Sequence, residues 1–225
     1  MDVRLIISAS ESLLLTFILK EGQIHEIKVE KRKARRIAGS VFKGMVRRIA
    51  KSLGGAFVDI GLEKEAYLPL KESQAPLKEG SEVIVQVKRE PIEDKGAKLT
   101  QRVSIPGKYL VYLPTSSHIY VSSKIGDEET RKRLREFFEK SLRGDGVIVR
   151  TCARWLDEDV LIQELDFLRK KWESIKESAK AVKTGLVYEE IPLHLQAIRD
   201  HWFEISEVVI DNRGLWSAKI GRAHV

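Results

Sequence analysis

The chain has 225 residues, a formal net charge of +7 and a pI near 9.4: long enough for two domains or one domain carrying an insertion, and basic enough to favour polyanions such as nucleic acid or acidic headgroups. Its single cysteine, Cys152, excludes an internal disulfide, and its scattered histidines exclude a zinc site built from this chain alone. No apolar run approaches the roughly 20 residues of a membrane helix and no charged-then-apolar leader opens the chain, so the sequence predicts a cytoplasmic protein without a membrane segment.

In chain order, residues 1–30 read as three antiparallel strands, with a polar turn at residues 10–12 and a hairpin at Glu21 and Gly22. The basic run KRKARR at 31–36 reads as a solvated connector or an RNA contact. From Gly39 to about Ile105, five short strands separated by Gly, Pro and charged turns predict a small closed barrel of the OB type. Alternation sorts their side chains by face: Ala56, Val58, Ile60, Ala66, Leu68 and Leu70 point inward, while Phe57, Asp59 and Tyr67 point away. Exposed rings beside Lys43, Arg47, Arg48, Lys88, Arg89 and Lys95 are what single-stranded nucleic acid requires, since bases stack on the rings and cations track the phosphates. The same two rings could instead cover an interface inside the protein.

After Gly107 the pattern turns to mixed α/β. Strands are expected in KYLVYLP, HIYVSS and GDGVIVRTCA, with a helix from about residue 127 to 142 and a long one from about 157 to 183. Asp127 and Asp157 are candidate N-caps, and Leu161, Leu165, Leu168 and Trp172 form a buried stripe. Arg150 and Thr151 leave their strand together. A guanidinium fork and a hydroxyl could hold a phosphate, or Arg150 could pair with Asp157 or Glu158. Cys152 beside them reads as a small buried thiol. A helix at 195–203 and a strand at 207–211 follow, the strand being expected to pair with the opening sheet, which is too small to stand alone.

The ordered series VFKGMVRRIAKSLGGAFVDIGLEKEAYLPLKE, EGSEVIVQVKREPIEDKGAKLT, GKYLVYLP, GVIVRT, LRKKWESI and ISEVVIDN resembles the amino-terminal half of the ribonuclease E/G endoribonucleases, from residue 1 to Trp216. The resemblance implies an α+β multidomain fold. An S1-type OB-fold RNA-binding domain at 37–105 is inserted in an RNase H-like subdomain split between 1–36 and 195–218, and a 5′-sensor region occupies 106–194. It implies that Arg150 and Thr151 hold the 5′-monophosphate of the RNA, with Gly107 and Val111 beside them. It also implies that Phe57, Tyr67 and Lys95 contact RNA on the barrel, with Lys43 added from the same segment. Where the family often has an arginine pair in the sensor, this chain has Ser123 and Lys124, which leaves Lys124 as the remaining cation there.

The activity so implied is hydrolytic cleavage of single-stranded RNA in mRNA decay and in ribosomal and transfer RNA processing. In that family magnesium held by aspartates of a later DNase I-like domain performs the cleavage, and many members form homo-oligomers with a cysteine-bound zinc. No catalytic residue and no metal ligand is therefore expected in this portion, which should bind and position RNA without cutting it. The alternative is a non-catalytic OB-fold RNA-binding protein of the translation or regulatory type; membrane association through the basic charge is a weaker one. Residues 219–225, ending IGRAHV, read as a non-native tail, a translated sequencing-adapter sequence.

Overall fold

The computed structural model describes residues 2–211, and the chain divides into two compact units: Met1–Arg36 with Ile191–Val225, and Ile37–Glu190. The alternating opening residues form three antiparallel strands, β1 (Val3–Ala9), β2 (Leu13–Lys20) and β3 (Gln23–Lys31). Glu21 and Gly22 make the β2–β3 turn with positive φ at both positions, 52° and 77°, the backbone a two-residue hairpin requires.

The second unit begins with the barrel: β4 (Val41–Ala50), β5 (Gly55–Asp59), β6 (Ala66–Pro69), β7 (Glu82–Arg89) and β8 (Lys98–Thr100). Their order is β4-β5-β6-β8-β7, closed by β7 on β4, with β6 and β8 parallel and the other pairs antiparallel. This is an OB-fold barrel within an α+β protein. Ala56, Val58, Ile60, Ala66 and Leu68 fill it, together with Val46, Val85, Val87 and Leu99. Leu70 corrects the face assignment made from alternation. The strand stops at Pro69, and Leu70 begins a short 3-10 turn that leaves it exposed.

Past the barrel, β9 (Ile105–Pro106), β10 (Leu110–Leu113), β11 (Ile119–Val121) and, after α1 (Glu128–Ser141), β12 (Gly146–Val149) form a second sheet in the order β11-β12-β10-β9. Asp127 caps α1 by accepting from the N–H groups of Glu129 and Thr130. The long helix α2 (Glu158–Ala181) presents Leu161, Leu165, Leu168 and Trp172 to this sheet, and Leu134 and Phe138 of α1 join the same core. Asp157 stands at the N-cap position of α2, but its side chain makes no capping bond.

A strand absent from the sequence reading, β13 (Gly185–Tyr188), joins the edge of β4. Val41 packs into the core of the α/β layer while its neighbour Phe42 packs into the barrel, so barrel and layer share one strand and form one unit. In the first unit, α3 (Leu193–His201) lays Ala197 and Ile198 on Val3, Leu5, Ile7, Leu14 and Ile18, and β14 (Ile205–Ile210) pairs parallel to β1. The sheet order is β14-β1-β2-β3, which gives the opening strands the fourth strand they lack. The expected tail at 219–225 lies outside the described residues.

Candidate nucleic-acid interface

On β5 and β6, the side chains opposite the core are Phe57 and Tyr67, which are paired across the strands with ring centroids 5.9 Å apart and planes at 60°. Tyr67 is fixed twice: its hydroxyl donates to the Leu53 carbonyl at 2.6 Å, and its ring lies so close over Gly55 that a Cβ there would meet it at 2.2 Å. Arg48, opposite Phe57 on β4, holds its guanidinium 4.6 Å from the Phe57 centroid, and Lys98 lies opposite Tyr67 on β8. Next to this patch, Arg47 donates to Asp59 at 2.6 Å, and that bond, with one from the Gly61 N–H, holds the Asp59 carboxyl below its usual range.

Lys95 closes a tight bridge with Ile92, two residues before Ala97, whose carbonyl accepts from the Tyr67 N–H at 2.8 Å. The backbone therefore delivers Lys95 to the Tyr67 end of the patch. Lys43 stands elsewhere. It is paired with Glu82 at 2.9 Å and its side chain is only 14% exposed. It lies five positions before Arg48 on β4, about 16 Å at a strand's rise. Arg48 lies against the Phe57 ring, and Lys98 is the strand neighbour of Tyr67. The sequence reading had no role for Lys98, because its place opposite Tyr67 depends on the parallel β6–β8 register and not on alternation.

A second cluster sits at one edge of the α/β layer. Strand β10 runs antiparallel to β12 and β11 runs parallel to it, so the start of β10 and the ends of β11 and β12 meet. There the Arg150 N–H donates to the Tyr109 carbonyl at 2.9 Å and the Ser122 N–H to the Val149 carbonyl at 3.0 Å. The Arg150 guanidinium donates to the Gly107 carbonyl at 3.0 Å. The hydroxyls of Thr151 and Ser122 are 2.9 Å apart, and the Lys124 N–H donates to Ser122 Oγ at 3.3 Å. Gly107, Lys124, Arg150 and Thr151 are thus brought together, with Val111 further along β10 opposite Ile148. Glu158, one of the carboxylates weighed as a partner for Arg150, instead meets Arg133 at 3.4 Å. Cys152 is half-buried, its thiol 3.6 Å from the Lys108 carbonyl.

One residue missing from the sequence reading holds this cluster from below. Glu164 of α2 accepts from the N–H groups of Lys108 at 2.6 Å, Tyr109 at 2.8 Å and Leu110 at 2.8 Å. Burial pushes its carboxyl up, against the pull of those three N–H groups. A Cβ at Gly107 would lie 2.8 Å from the carboxylate, so a larger residue there would have to push Glu164 away from its three N–H donors. The sequence does carry a signal: Glu164 interrupts the buried stripe between Leu161 and Leu165, where an acid needs a partner. A guanidinium and paired hydroxyls converging at strand ends, with the Lys124 backbone N–H beside them, can take up an anion with several acceptor oxygens. Among the described residues no group of three or more His, Cys, Asp or Glu could hold a metal ion, and no helix is long and apolar enough to cross a membrane.

The family model described as Ribonuclease E/G family matches residues 104–221. The chain is 31% identical to ribonuclease G of Haemophilus influenzae over 88% of its own length and 45% of that protein's. It is similar at 29% identity to ribonuclease G of Escherichia coli K12, covering 97% of this chain and 49% of the relative. It is 31% identical to ribonuclease E of the same organism, covering 99% of this chain and 23% of the relative. The chain spans about half the length of the curated ribonuclease G relatives it matches.

Proposed function

This chain belongs to the ribonuclease E/G family, and from that premise we propose that it is the portion of an endoribonuclease that binds single-stranded RNA and holds its 5′-monophosphate. The barrel patch of Phe57, Tyr67, Arg48, Lys98 and Lys95 takes the strand by stacking and charge. Arg150, Thr151 and Lys124 take the terminal phosphate, with Ser122 orienting the Thr151 hydroxyl and Gly107 and Val111 forming the wall beside it. In this reading residues 1–36 are the first part and residues 195–218 the second part of an RNase H-like subdomain, consistent with the parallel β14 joined to the opening antiparallel strands.

Cleavage in mRNA decay and in ribosomal and transfer RNA processing belongs, in this reading, to the whole enzyme acting with magnesium and as a homo-oligomer. The described residues offer no three-carboxylate cluster for that ion, and no step through it is assigned to them. Their part is to bind, orient and select the substrate end in the cytoplasm.

The observation that carries this reading is the convergence of Gly107, Ser122, Lys124, Arg150 and Thr151 at the ends of three strands. The test is equilibrium binding of a short single-stranded RNA with a 5′-monophosphate or a 5′-hydroxyl, at fixed salt. The wild-type chain should prefer the monophosphate, and Arg150→Ala should abolish that preference while leaving hydroxyl-ended RNA bound as before. Equal binding of both ends by the wild type would leave a general OB-fold RNA binder.

A further inference from the structure

Arg150 and Thr151 open a short 3-10 turn, Thr151–Trp155, that ends in an exposed aromatic. The turn is held inside by Ala153, which is fully buried and whose N–H donates to the Arg150 carbonyl at 3.1 Å. Leu156, packed against the core of the layer, fixes its far end and donates its N–H to the Ala153 carbonyl at 3.2 Å. Trp155 is thus carried on an anchored turn, yet it remains 58% exposed. Arg154 lies across it, its guanidinium carbon 3.7 Å from the ring.

In a 3-10 turn, residues three apart eclipse and each residue rises about 2 Å, which sets Arg154 on the side of Thr151 and Trp155 about 8 Å along from it. This is the scale of a single nucleotide, from its terminal phosphate to its own base. An indole capped by a guanidinium is a planar, polarised surface that accepts any base by its π-face, and the arginine adds positive charge next to the phosphate cluster.

We propose that Trp155 and Arg154 form a stacking subsite for the first base of the RNA whose 5′-phosphate is held at Arg150 and Thr151. The inference rests on the end-binding reading above and adds a second determinant to it: the site reads the whole terminal nucleotide, without regard to which base it carries. Arg154 positions the indole and Trp155 touches the ligand.

The test compares three single-stranded RNAs that are otherwise identical: 5′-monophosphate, 5′-monophosphate with an abasic first residue, and 5′-hydroxyl. Each is titrated by anisotropy at fixed salt against the wild-type chain, Trp155→Ala, Trp155→Phe and Arg150→Ala. The wild type should bind the intact monophosphate RNA about tenfold more tightly than the abasic one. Trp155→Ala should lose that difference and keep the preference for monophosphate over hydroxyl, and Trp155→Phe should recover part of the difference. A base-dependent difference that survives in Trp155→Ala overturns the subsite, as does its absence from a wild type that still prefers monophosphate. A wild type with no monophosphate preference overturns the end-binding reading, and the subsite falls with it.

Discussion

Glu164 shows how much of the cluster around Arg150 is decided by a residue that is no part of it. Its carboxylate fixes the 108–110 backbone, and that backbone presents the Gly107 carbonyl to Arg150. Glu164→Gln keeps the shape but removes one of two acceptor oxygens, leaving at least one buried N–H without its partner. The expected cost is about 1–3 kcal/mol in chemical denaturation. A loss of monophosphate preference should accompany it, because Arg150 loses its fixed carbonyl; an unchanged binding ratio in a destabilised variant would show that Glu164 only supports the fold. Arg150 and Thr151 were legible as a pair because they are adjacent in sequence at a strand exit. Their neighbours Ser122 and Gly107 flank other strands, and only pairing across the sheet brings them into contact.

At the scale of elements, an ion pair ties α2 to the turn before β12. Arg169 donates to the Asp145 carboxylate from Nε at 2.8 Å and from Nη2 at 3.1 Å, and to the Ser141 carbonyl at 3.1 Å, with both side chains largely buried. Burial alone would push Asp145 up; the Arg169 fork, the Arg143 N–H and Tyr112 outweigh it and bring the carboxyl to about 2. Burial, with Asp145 close by, pushes the Tyr112 hydroxyl up to about 12. Because the folded value of Asp145 lies below its ordinary 3.8, its stabilisation, about 2 kcal/mol, is fully present above pH 4 and is lost as the pH falls towards 2. Asp145→Asn should cost about 3 kcal/mol at pH 7, since it strands the Arg169 charge, and the gap to wild type should narrow between pH 4 and pH 2. Denaturant midpoints at pH 7, 4 and 2.5 measure it; a gap independent of pH would mean the pair carries none of the acid sensitivity. The Asp127 cap was legible because capping is local, within three residues. The β13 strand was not, since its four residues gain their identity from Val41 to Lys43, far away in sequence.

At the scale of the whole chain, the proposed RNA binding should draw on the +7 charge and on the two aromatic rings in separable ways. Phosphate contacts release counterions, so affinity should fall steeply with salt, while stacking is nearly indifferent to it. Phe57→Ala should weaken binding of single-stranded RNA by about 1–3 kcal/mol and leave the slope of log affinity against log salt unchanged. Arg48→Ala should lower both affinity and slope. If Phe57→Ala leaves affinity intact, the two rings serve only to pack β5 against β6, and the barrel patch is no RNA surface.

The sequence by itself determined which segments alternate, where turns fall, that two aromatics share the outer face of the barrel, and that an ordered series of segments matches one family. These are properties of neighbouring residues or of a whole string, and both survive without coordinates. Tertiary structure alone decided that β7 closes on β4, that Val41 and Phe42 feed two different cores, that Lys43 turns to Glu82 while Lys98 faces Tyr67, and that Glu164 underpins the Gly107 backbone. Each of these depends on register or on a contact between distant segments. A one-residue change of register reverses every side chain in a strand, and no local pattern of residues fixes that choice.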